Sequence, residues 1–174
     1  VIRATNSTFS GNTAADEGGA IYVPGGLGSV DLRYVTLAGN SARVGAQVAI
    51  GRDLTSFRTV FSNPLGGGHN CANAIGGSSH SYAPDDSCNI WGPGNVHGGP
   101  DPRQGPLHDN GGPTWTRFPA RSSPLLDAVP CDPAVPVDQR GVSRPKDGII
   151  GGPVRCDIGA VEAGPRPPLS LPAA

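Results

Sequence analysis

The feature that most restricts the fold of this chain is an internal repeat. Ser7-Thr8-Phe9-Ser10-Gly11-Asn12 returns as Val35-Thr36-Leu37-Ala38-Gly39-Asn40, offset by 28 residues, and a weaker copy follows as Arg58-Thr59-Val60-Phe61-Ser62-Asn63. Each copy sets a large apolar residue ahead of a small residue and an Asn. A second shared element trails the first two copies, Gly18-Gly19-Ala20-Ile21 and then Gly45-Ala46-Gln47-Val48. Between them, Val30-Asp31-Leu32-Arg33-Tyr34-Val35-Thr36-Leu37 alternates with the two-residue period of a half-buried strand.

Short strands that return every twenty-odd residues, punctuated by Gly and Asn, predict an all-β chain wound as a β-solenoid. One coil cannot bury its own apolar face, whereas stacked coils pair their strands and enclose a continuous axial core. The pattern then places Phe9, Leu37 and Phe61 in one inward column. It places Asn12, Asn40 and Asn63 at a corner as an Asn ladder, where Asn tolerates left-handed backbone and its amide can bond along the column. An antiparallel sandwich of short strands is the competing architecture.

The coils are expected over residues 1–65. Residues 66–108 carry Gly-rich punctuation and predict one or two irregular last coils, with Ala74-Ile75 and Asn89-Ile90-Trp91 as core. Residues 109–163 are Pro-punctuated and non-repeating, which suits a cap, since an open solenoid end exposes unpaired backbone and core. Residues 164–174 read as a Pro-rich tail.

Composition removes whole classes. The 27 Gly follow no three-residue period, which excludes collagen, and no Gly/Pro-free stretch carries helical periodicity. No apolar run approaches the roughly 18 residues of a membrane span. A net charge of −1 argues against nucleic-acid partners and against a polybasic membrane-surface protein. The chain has no Met, so Val1 reads as an internal residue of a larger precursor. Cys71, Cys88, Cys131 and Cys156 form no CxxC pair; an even number in loop-like sequence points to two disulfides and an oxidising compartment. Sequential pairing, Cys71–Cys88 and Cys131–Cys156, closes the most local loops; other pairings and a bound metal remain open.

Six segments of the C-terminal half occur in the order of a known module: Gly105-Pro106-Leu107, Asp109-Asn110-Gly111-Gly112-Pro113-Thr114, Ser123-Pro124-Leu125-Leu126-Asp127, Asp138-Gln139-Arg140-Gly141, Arg144-Pro145 and Cys156-Asp157-Ile158-Gly159-Ala160-Val161-Glu162. Together they resemble the choice-of-anchor Q domain of bacterial surface proteins. The N-terminal copies resemble the degenerate repeats of polymorphic outer-membrane proteins and related right-handed parallel β-helices. The resemblance implies a right-handed parallel β-helix with an irregular, disulfide-stapled C-terminal cap. It implies an extracellular or cell-surface location in a bacterium, and it supplies no reaction.

The densest polar constellation is Asp138, Arg140, Arg144, Asp157 and Glu162. Guanidinium forks bind carboxylates through two parallel hydrogen bonds, so these residues are expected to interlock the loops of the cap and to hold the acids ionised. Paired acids for glycan cleavage are the alternative. Asp85-Asp86 resembles the adjacent acids of pectin-degrading β-helices, and Gly68-His69-Asn70 resembles their Gly-His-Gly turn, but the companion Asn-Thr-Asp and Arg-Ile-Lys segments are absent. His69, Cys71, His80 and Cys88 fit no familiar zinc spacing. Calcium on Asp85, Asp86 or Asp101 has no EF-hand or nonapeptide repeat behind it. No catalytic residue, no metal site and no resident cofactor are therefore expected. The expected function is an extracellular structural or adhesive module that meets a glycan, a protein or copies of itself. A polysaccharide lyase or glycoside hydrolase on the same fold is the alternative.

Overall fold

The computed structural model describes residues 1–25, 28–50, 53–149 and 151–165. Of the expected tail, residues 166–174 lie outside the described residues. The described chain is all β, with no helix. The solenoid strands are β1 (Ile2–Ser10), β2 (Ile21–Val23), β3 (Val30–Ala38), β4 (Val48–Ile50), β5 (Leu54–Phe57), β6 (Val60–Ser62), β7 (Gly77–Ser79), β8 (Tyr82–Ala83) and β9 (Val96–His97). An antiparallel hairpin follows, β10 (Gln104–His108) and β11 (Thr116–Pro119).

Every solenoid pairing is parallel, and about three turns stack. Ile2 pairs with Val30, Val30 with Leu54, Thr55 with Gly77 and Tyr82 with Val96, so the coils shorten from 28 to 24, 22 and 14 residues. One side is the sheet built from β1, β3, β5 with β6, β7 with β8, and β9. A second side is β2 on β4, which continues only as a bridge from Val48 to Cys71.

The bends recur because the backbone recurs. Asn6, Tyr34, Arg58, His80 and Gly94 all have left-handed φ, between 49° and 67°. The register stacks them in one column, between Thr5↔Arg33↔Phe57↔Ser79 on one side and Thr36↔Val60↔Tyr82 on the other. A non-Gly residue in this region costs on the order of 1 kcal/mol. The bend also resets the in-out alternation: Leu32, Val35 and Leu37 join the axial core, while Tyr34 and Val60 join an apolar cluster on the opposite face of the sheet.

Phe9, Leu37 and Phe61 stand in register in the axial core, with Leu37 and Phe61 fully buried and Phe9 partly buried in the first coil. The three-member Asn ladder is corrected at its third rung. Asn12 Nδ2 donates to Asn40 Oδ1 (2.8 Å), but Ala38↔Ser62 puts Asn63 level with Gly39. The third copy lacks the Gly that stands between the small residue and the Asn in the first two, so Asn63 takes the left-handed position itself (φ 50°). Asn40 Nδ2 donates instead to buried Gln47 Oε1 (2.5 Å), and Gln47 Nε2 donates to Ser62 O (2.8 Å). The expected core at the last coil is corrected as well. Ile75 and Ile90 are buried, but Ala74, Asn89 and Trp91 face outward. The segment lies outside any strand, with Asn89 at φ 50°, and only Ile90 of Asn89-Ile90-Trp91 enters the core.

The C-terminal segment lies along the side of the solenoid. Tyr34, Val60 and Tyr82 on the outer face of the sheet form a second apolar cluster with Leu125, Val129, Val135, Cys156 and Ile158. Hydrogen bonds tie the segment to successive coils: Thr8 Oγ1 to Gln139 Oε1 (2.7 Å), Ala160 N to Thr36 Oγ1 (3.1 Å) and Gly159 N to Arg58 O (2.9 Å), while Tyr82 OH donates to Pro100 O (2.6 Å) just beyond β9. Gly159 is required at the crossing, because a Cβ there would sit 2.8 Å from Thr36 Oγ1. The outer face before the bend column, which carries Asp31, Arg33 and Thr55, contributes nothing to this cluster.

Candidate functional site

The strap across the sheet is held by buried carboxylates aimed at backbone N–H groups. Asp138 Oδ1 accepts from Arg140 N (2.8 Å) and Val142 N (2.9 Å), and its Oδ2 accepts from Glu162 N (2.9 Å) and Arg140 Nη2 (2.8 Å). Glu162 Oε2 accepts from Arg144 Nη1 (2.5 Å) and Asp157 N (3.1 Å), and Oε1 accepts from Lys146 N (2.9 Å). Asp157 accepts from Asp127 N and Ala163 N, both at 2.7 Å. Asp127, outside the expected constellation, acts in the same way and accepts from Ile149 N (2.7 Å). Loop-rich chain has few ladder partners for its amides, and carboxylates supply them. Arg144 further donates to Gly159 O (3.0 Å) and lies 4.0 Å over the Tyr34 ring. It therefore joins two loops of the strap to the solenoid.

The expectation that arginines hold these acids ionised is corrected for two of them. Asp157 is raised to about 7, first by burial and then by the neighbouring Glu162 charge, against the hydrogen bonds from Ala163 and Asp127. Glu162 is raised too, because burial outweighs the attraction of Arg144. A raised carboxyl is what a general acid needs. Both groups are fully buried, however, and every oxygen of each already accepts a backbone amide.

Cys71 is bonded to Cys88 and Cys131 to Cys156. The first bridge lies in the axial core and extends the Ile21–Val48–Cys71 side where the β2–β4 pairing runs out. The second staples the strap beside the Val129–Cys156 backbone bridge. With their sulfurs bonded to each other, Cys71 and Cys88 offer no thiolate to a metal beside His69 and His80. Among the described residues no group of three or more His, Cys, Asp or Glu side chains is placed to hold a metal ion.

The loop acids go separate ways. Asp85 turns inward and accepts from Asn70 N (3.1 Å) and Ser87 Oγ (2.6 Å); burial opposes its ionisation, but the hydrogen bonds from Ser87 and Asn70 prevail and lower its pKa. Asp101 accepts from Arg103 N (2.7 Å). Asp86 points outward and pairs with His97 Nδ1 at 2.9 Å. On the open face, Arg3, Asp31, Asp53 and Thr55 line a shallow groove that crosses the coils.

These elements define a β-solenoid whose side is buttressed by a disulfide-stapled strap. Residues 6–24 match the Chlamydia polymorphic membrane protein repeat, a stretch that holds both Phe9-Ser10-Gly11-Asn12 and Gly18-Gly19-Ala20-Ile21. Searches of curated proteins and of solved structures give no match.

Proposed function

We propose that this chain is an extracellular structural or adhesive module of a bacterial surface or secreted protein, and that residues 105–162 form a unit of choice-of-anchor Q type. The observation that carries the reading is the polymorphic membrane protein repeat in the first coil of a stacked solenoid. Two disulfides support an oxidising compartment outside the cytosol. The outward positions farthest from the strap, with Arg3, Asp31 and Thr55, offer a polar surface for a glycan, a protein or a second copy of the chain. The reading needs no resident cofactor; calcium enters it only as an added ion in the assays below.

The test is location and adhesion together. Intact cells of the source bacterium are labelled with a membrane-impermeant reagent, and beads coated with the pure chain are passed over immobilised mucin, pectin and collagen. The reading expects the chain in the labelled fraction and beads retained on at least one surface. A chain recovered only from cytosol with free thiols would overturn it.

A polysaccharide lyase or hydrolase is the second reading. It is favoured by one observation, the groove in which Asp31 and Asp53 both line an open depression beside Arg3. Asp31 is engaged there by Arg33 (3.6 Å) and Thr55 Oγ1 (3.3 Å). Release of reducing ends or unsaturated products from pectin, alginate or xylan, with or without calcium, and its loss in Asp31→Asn or Asp53→Asn, would establish the enzyme.

A further inference from the structure

The chain has two tryptophans, and both are on the surface: Trp91 is 70% exposed and Trp115 61%. Tryptophan is on average a highly buried residue, and this core is filled instead by Tyr34, Tyr82 and Phe61. Trp91 is exposed on rigid chain. Its neighbour Ile90 is in the axial core, and Cys88 is bonded to Cys71. Four residues on, Asn95 locks the loop by donating to Ser78 Oγ (2.6 Å) and accepting from Ser81 N (2.7 Å). Beyond it β9 pairs with β8 and delivers His97, whose ring sits 4.0 Å from that of Trp91 at 58°. The indole N–H donates to Asn89 Oδ1. Asp86, with its side chain 78% exposed, closes the group by pairing with His97.

We propose that Trp91, His97, Asp86 and Asn89 form a binding platform for a neutral pyranose glycan. The C–H groups on the apolar face of a sugar ring meet the negative face of an indole, and that indole already packs against His97. Ring hydroxyls then donate to the exposed Asp86 carboxylate and reach the Asn89 amide. Neutral sugar is selected by charge: the exposed Asp86 carboxylate stands in the platform and residues 84–101 contain no Lys or Arg, so a uronate or sialylated chain meets repulsion. The inference deepens the adhesive reading and rests on it for the existence of an extracellular partner.

The 174-residue chain, its Trp91→Ala, Asp86→Ala and Trp115→Ala variants, and a panel of immobilised mannan, galactan, xylan and pectin decide it. Far-UV circular dichroism and melting curves first verify that each variant folds like the parent. The platform predicts binding to at least one neutral polysaccharide, weaker retention on pectin, a loss of tenfold or more in Trp91→Ala, a smaller loss in Asp86→Ala and none in Trp115→Ala. Binding that survives Trp91→Ala would overturn the platform and leave the adhesive reading standing. So would a protein surface that retains the chain through Trp91 while every glycan fails. Binding confined to pectin would overturn the choice of neutral sugar. Failure on every glycan and protein surface, with folded protein, would overturn the adhesive reading and the platform together.

Discussion

Arg144→Ala tests whether the strap is held by its buried ion pair. Glu162 and the Arg144 side chain are 0% and 1% exposed, so solvent cannot take over when the guanidinium is removed. The truncation leaves Glu162 with two backbone N–H partners and no counter-charge. Removing one member of a buried pair costs about 3–5 kcal/mol. Arg144 also lies over Tyr34 and donates to Gly159 O, which places the expected loss toward the upper end of that range. The assay is urea unfolding followed by circular dichroism, with the slope checked so that a midpoint shift reads as stability. The pair itself is isolated by a cycle with Glu162→Gln and the double variant. Replacing both members should cost less than the sum of the single losses, because no buried charge is then left unpaired. A loss below about 1 kcal/mol for Arg144→Ala, or additive single effects, would refute the buried-pair account.

The pH dependence has an unusual sign. Asp157 titrates at about 7 in the fold against 3.8 for a free carboxyl, so the folded chain holds a proton that the unfolded chain has released. That stabilisation is complete below the unfolded value and fades as pH rises to about 7; the shift is worth about 4 kcal/mol in all. Urea midpoints at pH 5 and pH 8 should show this, and Asp157→Asn should flatten the difference. Loop-closure entropy gives roughly 3 kcal/mol for the 17-residue separation of Cys71 and Cys88 and about 3.5 kcal/mol for the 25-residue separation of Cys131 and Cys156. Paired Cys→Ser variants should lose about those amounts in chemical denaturation. Phe61→Ala empties a fully buried place in the axial column and should cost about 3–5 kcal/mol, read from the same unfolding curves. Gly39→Ala, at φ 70° and with its Cβ 2.5 Å from the Arg117 guanidinium, should lower the melting temperature where Gly11→Ala, with open space around it, lowers it less.

What the sequence made legible was the part that repeats. A recurring apolar-small-Asn phrase at a 28-residue offset is a statement about stacked backbone, and it located the Phe9–Leu37–Phe61 column. The second bend column was hidden because its occupants share no chemistry. Asn6, Tyr34, Arg58, His80 and Gly94 have one backbone shape and five different residue types. The backbone demand there is met by stacking neighbours rather than by residue type. Gln47 was missed for a related reason, since it lies outside the Asn motif and enters the ladder only through the third dimension. Trp91 lies in a loop after left-handed Asn89, a backbone shape that hydrophobicity alone does not reveal. The polar constellation was visible as a set. The raised Asp157 was not, because charge neighbours can be counted in a sequence and desolvation cannot.

The position of the strap changes how such a solenoid holds together. A stack of coils is close to one-dimensional, since each coil touches only its neighbours, and a weak coil can open alone. Here one segment bonds to Thr8 of the first coil, Thr36 of the second and Arg58 of the third, and packs on Tyr82 of the fourth. Opening any single coil then disturbs the strap and, through it, the others. Such coupling suits the short final coils, which are too small to bury much apolar surface of their own and are fastened by Cys71–Cys88 and by Pro100 over Tyr82. It also divides the surface by function. The half of the sheet beneath the strap is committed to stability, and substitutions there are felt across several coils. The groove face and the Trp91 loop carry no such burden. Amide hydrogen exchange distinguishes the two cases: Glu162→Gln should raise exchange in β3, β6 and β8 together, and Trp91→Ala should leave all three protected.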